Sequence, residues 1–193
     1  WTLYGVTLGT FALSSFGTVA HFFDDDDTVV VQEPVPYAYG DTIYYEGDTV
    51  YVNDQPAGTA EQYYQQAATL ASTGTPDDAA KGEDWLPLGV FAIVGPNDTN
   101  ATLTVQLAVN KEGVLRGNQF DMAAGENQIV KGAVDKKTQK VAWTAGDPNV
   151  VYETGLANLT EVQSTVLVHY GKDTSEVYNL MHIEEPPQDA QTN

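Results

Sequence analysis

Four consecutive aspartates, Asp24, Asp25, Asp26 and Asp27, form the densest set of metal-ligating side chains in the sequence, and the Gly-Asp turns at Asp41 and Asp48 add carboxylate oxygens nearby. Calcium, a hard cation that takes roughly six to eight oxygen ligands, is the ion such a set would hold. Consecutive aspartates point in different directions and no EF-hand spacing is present, so a solvated charge run competes with the calcium reading. His21, His169 and His182 are the only histidines. A turn at 171–173 pairs residue 169 with a position near 175, which separates His169 from His182 along the strands and argues against a shared metal site. The chain has no cysteine, so disulfides, thiolate metal sites and cysteine nucleophiles are excluded. No nucleophile elbow, Ser-x-x-Lys pair or phosphate loop occurs. With 27 acidic residues, no pair of carboxylates stands out for glycoside hydrolysis. A non-enzymatic protein is expected, with no cofactor other than calcium.

Charge narrows the partners. The first 80 residues carry 12 acidic side chains and no lysine or arginine, and the remaining 113 carry 15 acidic and 8 basic, so the net charge of -19 divides as -12 and -7. Such a chain repels phosphate backbones and anionic lipid, which excludes nucleic acid and disfavours a membrane surface. The carboxylates of the first 80 residues have no basic neighbour in sequence, and face water, divalent cations or a basic partner.

The elements that position these residues follow from pattern. Residues 1–23 carry no charge apart from His21. By length they reach across a bilayer, but nine of the 23 are Gly, Ser or Thr and no basic residue flanks them. They lack the basic start of a signal peptide, and the Gly5-x-x-x-Gly9 spacing is weak alone. Packing on the chain's own domain or between subunits is expected instead. In the second case Leu3, Tyr4, Val6, Leu8, Phe11, Leu13, Phe16, Phe22 and Phe23 supply the contact. A short repeat, GDTIYYE at 40–46 and GDTVYVN at 47–53, predicts a β-hairpin in which Tyr44 and Tyr45 face opposite sides. Thr59 with Gln62 predicts a capping box opening a helix over 60–71, stopped by Gly74 and Pro76. Strands are predicted at 86–94, 102–110, 114–122, 127–134, 139–145, 149–155, 164–170 and 175–183, separated by short turns. Three N-x-T sequons, at Asn97, Asn100 and Asn158, fall at predicted turns.

The expected fold is all-β: an antiparallel eight-stranded meander, either an up-and-down barrel or a two-sheet sandwich, with an N-terminal β-hairpin and short helix module. Four regions result: an uncharged and acidic segment at 1–36 that serves as an intersubunit arm, a Tyr-rich hairpin, helix and linker at 37–84, the barrel or sandwich at 85–185, and a polar tail at 186–193.

Several stretches are distinctive: YAYGDTIYYEGDTVYVNDQP (37–56), DWLPLGVFAIV (84–94), QLAVNKEGVLRGN (106–118), VDKKTQKVAWT (134–144), ETGLANLT (153–160) and LVHYG (167–171). Across residues 37–185 the chain resembles the C-terminal region of planctomycete cell-surface proteins labelled mu-protocadherin-like. The resemblance implies export to the bacterial envelope and carries no activity. The cadherin calcium motifs are absent, so the label implies no cadherin fold. The function expected is that of an extracellular or cell-surface structural subunit that assembles with itself into a filament or matrix. The alternatives are a small-molecule-binding barrel, with Trp143, Leu107 and Met181 deciding whether its centre is filled, or an adhesion module that binds glycans through exposed aromatics beside carboxylates.

Overall fold

The computed structural model describes residues 2–3, 6–7, 12–24, 33–74 and 84–184. At its centre is a closed antiparallel barrel, so the meander closes on itself rather than splitting into two sheets. Its strands are β6 (Trp85–Val94), β7 (Leu103–Asn110), β8 (Val114–Asp121), β9 (Glu126–Asp135), β10 (Lys140–Ala145), β11 (Asp147–Gly155), β12 (Gln163–Tyr170) and β13 (Ser175–His182). Each strand pairs with the next, and β13 returns to β6 through Leu180↔Ile93 and Met181↔Ala92. Closure removes the free edges that an open sheet would present.

Alternation decides what lies inside. Leu107, Val109, Leu115, Val130, Val141, Trp143, Val166, Val168 and Leu180 point inward and are fully buried. The Trp143 indole fits because its cross-strand partner on β9 is Gly132. A Cβ at Gly132 would lie 2.2 Å from the Ala142 carbonyl oxygen and 2.7 Å from Trp143 Cβ. Trp143 and Leu107 occupy the centre as expected, but Met181 does not. It is 43% exposed on the outer surface, because the inward positions of β13 belong to Tyr178 and Leu180.

One end of the barrel is stoppered by α1 (Phe16–Phe23), a helix not expected from the sequence. Ser15 caps it by accepting from the Thr18 N–H at 3.2 Å. Ser14 ties it to the barrel wall, its hydroxyl donating to the Pro87 carbonyl at 2.7 Å. Val19 and Phe23 then enter the core at 0% and 1% exposure, and Lys136 lies 5.5 Å above the Phe23 ring. Upstream, β1 (Thr2–Leu3) and β2 (Val6–Thr7) form a two-stranded pair.

A second layer covers part of the outer wall. It comprises the sheet β3 (Ile43–Glu46), β4 (Thr49–Val52) and β5 (Gln55–Thr59), and the helix α2 (Ala60–Ser72). The β4–β5 connection is a two-residue turn with Asn53 and Asp54 both at positive φ, the geometry that matches strand twist. The Thr59–Gln62 capping box forms as predicted. Ala67 and Ala71 let α2 approach Ala142 and Val151 closely. Ile43, Val50, Tyr45 and Tyr39 pack on Leu167 and Val177. Tyr44, on the opposite side of β3, stacks on Tyr51 with centroids 5.2 Å apart. Side-chain straps finish the attachment: Tyr37 donates to the Thr138 carbonyl at 2.6 Å, and Asn158 donates to the Tyr37 carbonyl at 2.8 Å.

Candidate functional site

Three places on this scaffold hold chemistry. The first is Glu153, on the outer wall of β11 with Ala142 and Leu167 as its cross-strand neighbours. The covering layer buries it completely. Lys140 Nζ lies 2.8 Å from its Oε1, and the Tyr39 hydroxyl donates to the same oxygen at 2.7 Å. His169 Nε2 sits 3.3 Å from Oε2, and His169 Nδ1 sits 2.8 Å from the Ser175 hydroxyl. Burial pushes the Glu153 carboxyl up. The His169 hydrogen bond, the Lys140 charge and the hydrogen bonds from Lys140 and Tyr39 more than offset it, holding the group at about 2. Tyr39 is pushed the other way, by burial first and the Glu153 charge second, so its phenol keeps the proton it donates.

Ser175, His169 and Glu153 lie in the order of a proton relay, the imidazole bridging the serine hydroxyl and the carboxylate. A relay acts only where a substrate reaches it. His169 is 0% exposed and the Tyr64 ring packs edge-on against it at 5.9 Å. A groove of about 790 Å³ between α2 and the β9–β10 turn reaches Lys140 and Glu153 from the other side. There Lys140 is held by its ion pair and lies 4.9 Å over the Tyr63 ring. The arrangement fastens the covering layer to the barrel.

The second place is the outer wall that the described residues leave uncovered. Cross-strand pairing carries one row of outward residues through six strands: Gln163, Met181, Ala92, Thr104, Phe120 and Asn127. A parallel row runs Val90, Gln106, Asn118 and Ile129. Neither row contains an ionisable side chain, in a chain of net charge -19. Phe120, Met181 and Ile129 are 36%, 43% and 50% exposed. Scattered exposed apolar residues are ordinary, but an aligned uncharged wall on so acidic a protein is not.

The third place is the barrel end opposite α1, where the inward side chains turn polar. Gln119 donates to the Tyr152 hydroxyl at 2.9 Å, and Tyr152 stacks on Trp143 with centroids 5.3 Å apart. At the rim the Tyr170 and Tyr178 hydroxyls lie 2.6 Å apart, with Glu176 beyond at 3.4 Å.

The residues singled out from sequence scatter over these places. Asp24 is exposed just beyond α1, and Asp25, Asp26 and Asp27 lie outside the described residues. Among the described residues, no group of three or more His, Asp or Glu side chains is placed to hold a metal ion. Of the nine residues assigned to an intersubunit arm, Tyr4, Leu8 and Phe11 lie outside the described residues, and Leu3 is the register partner of Val6 in the β1–β2 pair. Phe23 belongs to the chain's own core, and Leu13, Phe16 and Phe22 pack against it while partly exposed. His169 and His182 stand apart as expected, with His169 paired to Ser175 and His182 to Phe91. The sequons are divided: Asn97 and Asn100 are exposed, whereas Asn158 is buried with its amide engaged. Glu153 was not singled out at all. Its signal was a carboxylate in the middle of VVYETG, a run apolar at both parities and so marked as a strand covered on both sides. No protein-family model, curated protein or solved structure matches this chain.

Proposed function

We propose that this chain is a non-enzymatic structural subunit, working outside the cell or at its surface, that associates with further copies of itself through the uncharged barrel wall. The wall is the observation that carries the reading. Two chains of net charge -19 repel one another wherever carboxylates meet, with a range of about 8 Å at physiological salt. The rows through Phe120 and Ile129 bring no charge to a contact, so two copies can meet there without facing carboxylates. A two-fold pairing would set the same rows against each other, with apolar anchors inside a rim of Asn, Gln and Thr able to hydrogen-bond across. A contact made only by residues 1–23 is less favoured, because α1 is spent inside its own barrel. Removing those residues would also remove Val19 and Phe23 from the core, so point changes on the wall are the cleaner test.

The test is light scattering after size exclusion on the native chain over a wide concentration range, with calcium and then with chelator. Ile129→Lys and Phe120→Glu should reduce the mass to that of one chain while leaving thermal unfolding unchanged. A monomer in every condition, or assemblies that both variants leave intact, overturns the reading.

A further inference from the structure

The groove between α2 and the β9–β10 turn has a volume of about 790 Å³ and opens to solvent. One wall is a stripe on α2. Gln62, Gln66, Thr69 and Thr73 recur at the spacing that puts side chains on one helix face, over about 16 Å of its length. All four are exposed and none is charged, in a chain of net charge -19. Gln62 is fixed by the capping box, its Oε1 accepting from the Thr59 N–H at 3.0 Å, which leaves the amide NH₂ to donate. On the facing turn, Asp135 Oδ1 accepts from the Lys137 and Thr138 N–H groups at 2.9 and 3.3 Å. That pins the carboxylate and leaves it lone pairs for further donors. The floor is the Lys140–Glu153 ion pair. Glu153 cancels the charge of the ammonium, which still has N–H groups to offer. Tyr37 and Leu70 add apolar surface, and the Tyr37 ring is held by its bond to the Thr138 carbonyl.

We infer that this groove binds a neutral oligosaccharide. Such a chain carries hydroxyls that both donate and accept, and patches of C–H surface between them. The glutamine amides match the hydroxyls, Asp135 accepts from two neighbouring hydroxyls at once, and Lys140 donates from below. Tyr37 and Leu70 take the C–H surface. Other occupants fit worse. An anion would meet Asp135 and find Lys140 already neutralised by Glu153. A metal ion would find one carboxylate free to ligate it, too few oxygens to replace its water. An extended peptide seeks an unpaired strand edge, but one wall is a helix, and β9 and β10 are each paired on both sides in the closed barrel. An apolar body would cover amides and hydroxyls without pairing them. This inference is independent of self-association, since it uses none of the wall residues, and either can fail without the other.

The experiment is a titration of the full ¹⁵N-labelled chain with cellotriose, chitotriose and maltotriose in turn, followed at the side-chain amide signals of Gln62 and Gln66. At least one of the three should move both signals and saturate in the millimolar range or below, and tri-galacturonate should leave them fixed. Gln66→Ala, read at Gln62, should weaken binding at least tenfold, and because Gln66 is exposed the variant keeps the fold. Asp135→Asn, read at both amides, should weaken it likewise. Amide signals unmoved by all three sugars at millimolar concentration overturn the proposal. An equal response to tri-galacturonate overturns it too, because the groove would then not select neutral chains. So does binding that Gln66→Ala leaves unchanged, which would put the sugar elsewhere on the protein.

Discussion

Replacing Glu153 by glutamine keeps the shape of the fastening between the covering layer and the barrel and removes its charge. Holding this carboxyl at about 2 instead of 4.5 corresponds to about 3 kcal/mol, at about 1.4 kcal/mol for each tenfold. The group is buried, so no discount for solvent screening applies. Breaking a buried ion pair by removing one partner typically costs about 3–5 kcal/mol. Lys140 retains 20% exposure and can turn toward water, which places the expected loss near 3 kcal/mol. For a chain of this size that lowers the melting temperature by about 6–12 °C. The pH dependence separates charge from packing. A carboxyl whose folded value is depressed stabilises the fold above its unfolded value, and that stability drains away as pH falls from about 4.5 toward 2. Urea unfolding of the native chain and Glu153→Gln should therefore differ by about 3 kcal/mol at pH 7 and converge as the pH falls to 3 and below. The other acidic residues are common to both proteins and cancel in the difference. A gap under 1 kcal/mol at pH 7, or one that is the same at pH 6 and pH 3, refutes the electrostatic account of the fastening.

Gly132→Ala should destabilise the barrel by about 2–3 kcal/mol or prevent folding, because its Cβ meets the Ala142 carbonyl and Trp143 rather than a yielding side-chain tip; thermal unfolding reads this directly. Thr59→Ala removes one half of the α2 capping box and should cost about 1 kcal/mol, with hydrogen exchange accelerated in the first turn of α2. At high pH, Tyr37 and Tyr152, both pushed up to about 12 chiefly by burial, keep their protons past the ordinary phenol value. Their contribution to stability is whole below pH 10 and is lost as the pH rises through 12, so absorbance at 295 nm should show late phenols that ionise with unfolding. All eleven phenols titrating normally in the folded protein would contradict the burial described.

Much of the barrel was legible because its signal is local. Val114–Asp121 and Ser175–His182 lie within a residue of the strands predicted from alternation, and the α2 cap was readable as Thr59 and Gln62. Closure was not legible, since it rests on β13 meeting β6, a pairing between residues near 92 and 181 that no local pattern announces. The short helix α1 hid in a run without charges, where glycine and serine masked its periodicity, although Ser15 three residues before Thr18 was a capping signal in plain view. Strand β5 hid behind Pro56 and Gly58, residues that ordinarily weaken a strand. The site suffered most. Glu153 was one carboxylate among 27, and its partners Tyr39, Lys140 and His169 come from three separate parts of the chain. Met181 shows the remaining limit: alternation separates the two sides of a strand without saying which one faces in.

The pairing of β6 with β13 also fixes how the barrel answers a pull. The two strands are antiparallel, and Phe91 stands opposite His182, so the chain arrives at and departs from the barrel side by side. Tension applied between these points loads the β6–β13 seam at one end and peels its hydrogen bonds one after another, the weakest direction for a sheet. The barrel alone would open like a zip under modest force. Ahead of it the chain carries α1, lodged in the barrel end through Val19 and Phe23, and the covering layer, held by the Tyr39 hydrogen bond to Glu153, so a load arriving from that side meets these attachments before the seam. A chain built this way answers a pull in stages: the attachments outside the seam yield first, and the barrel then pays out its strands.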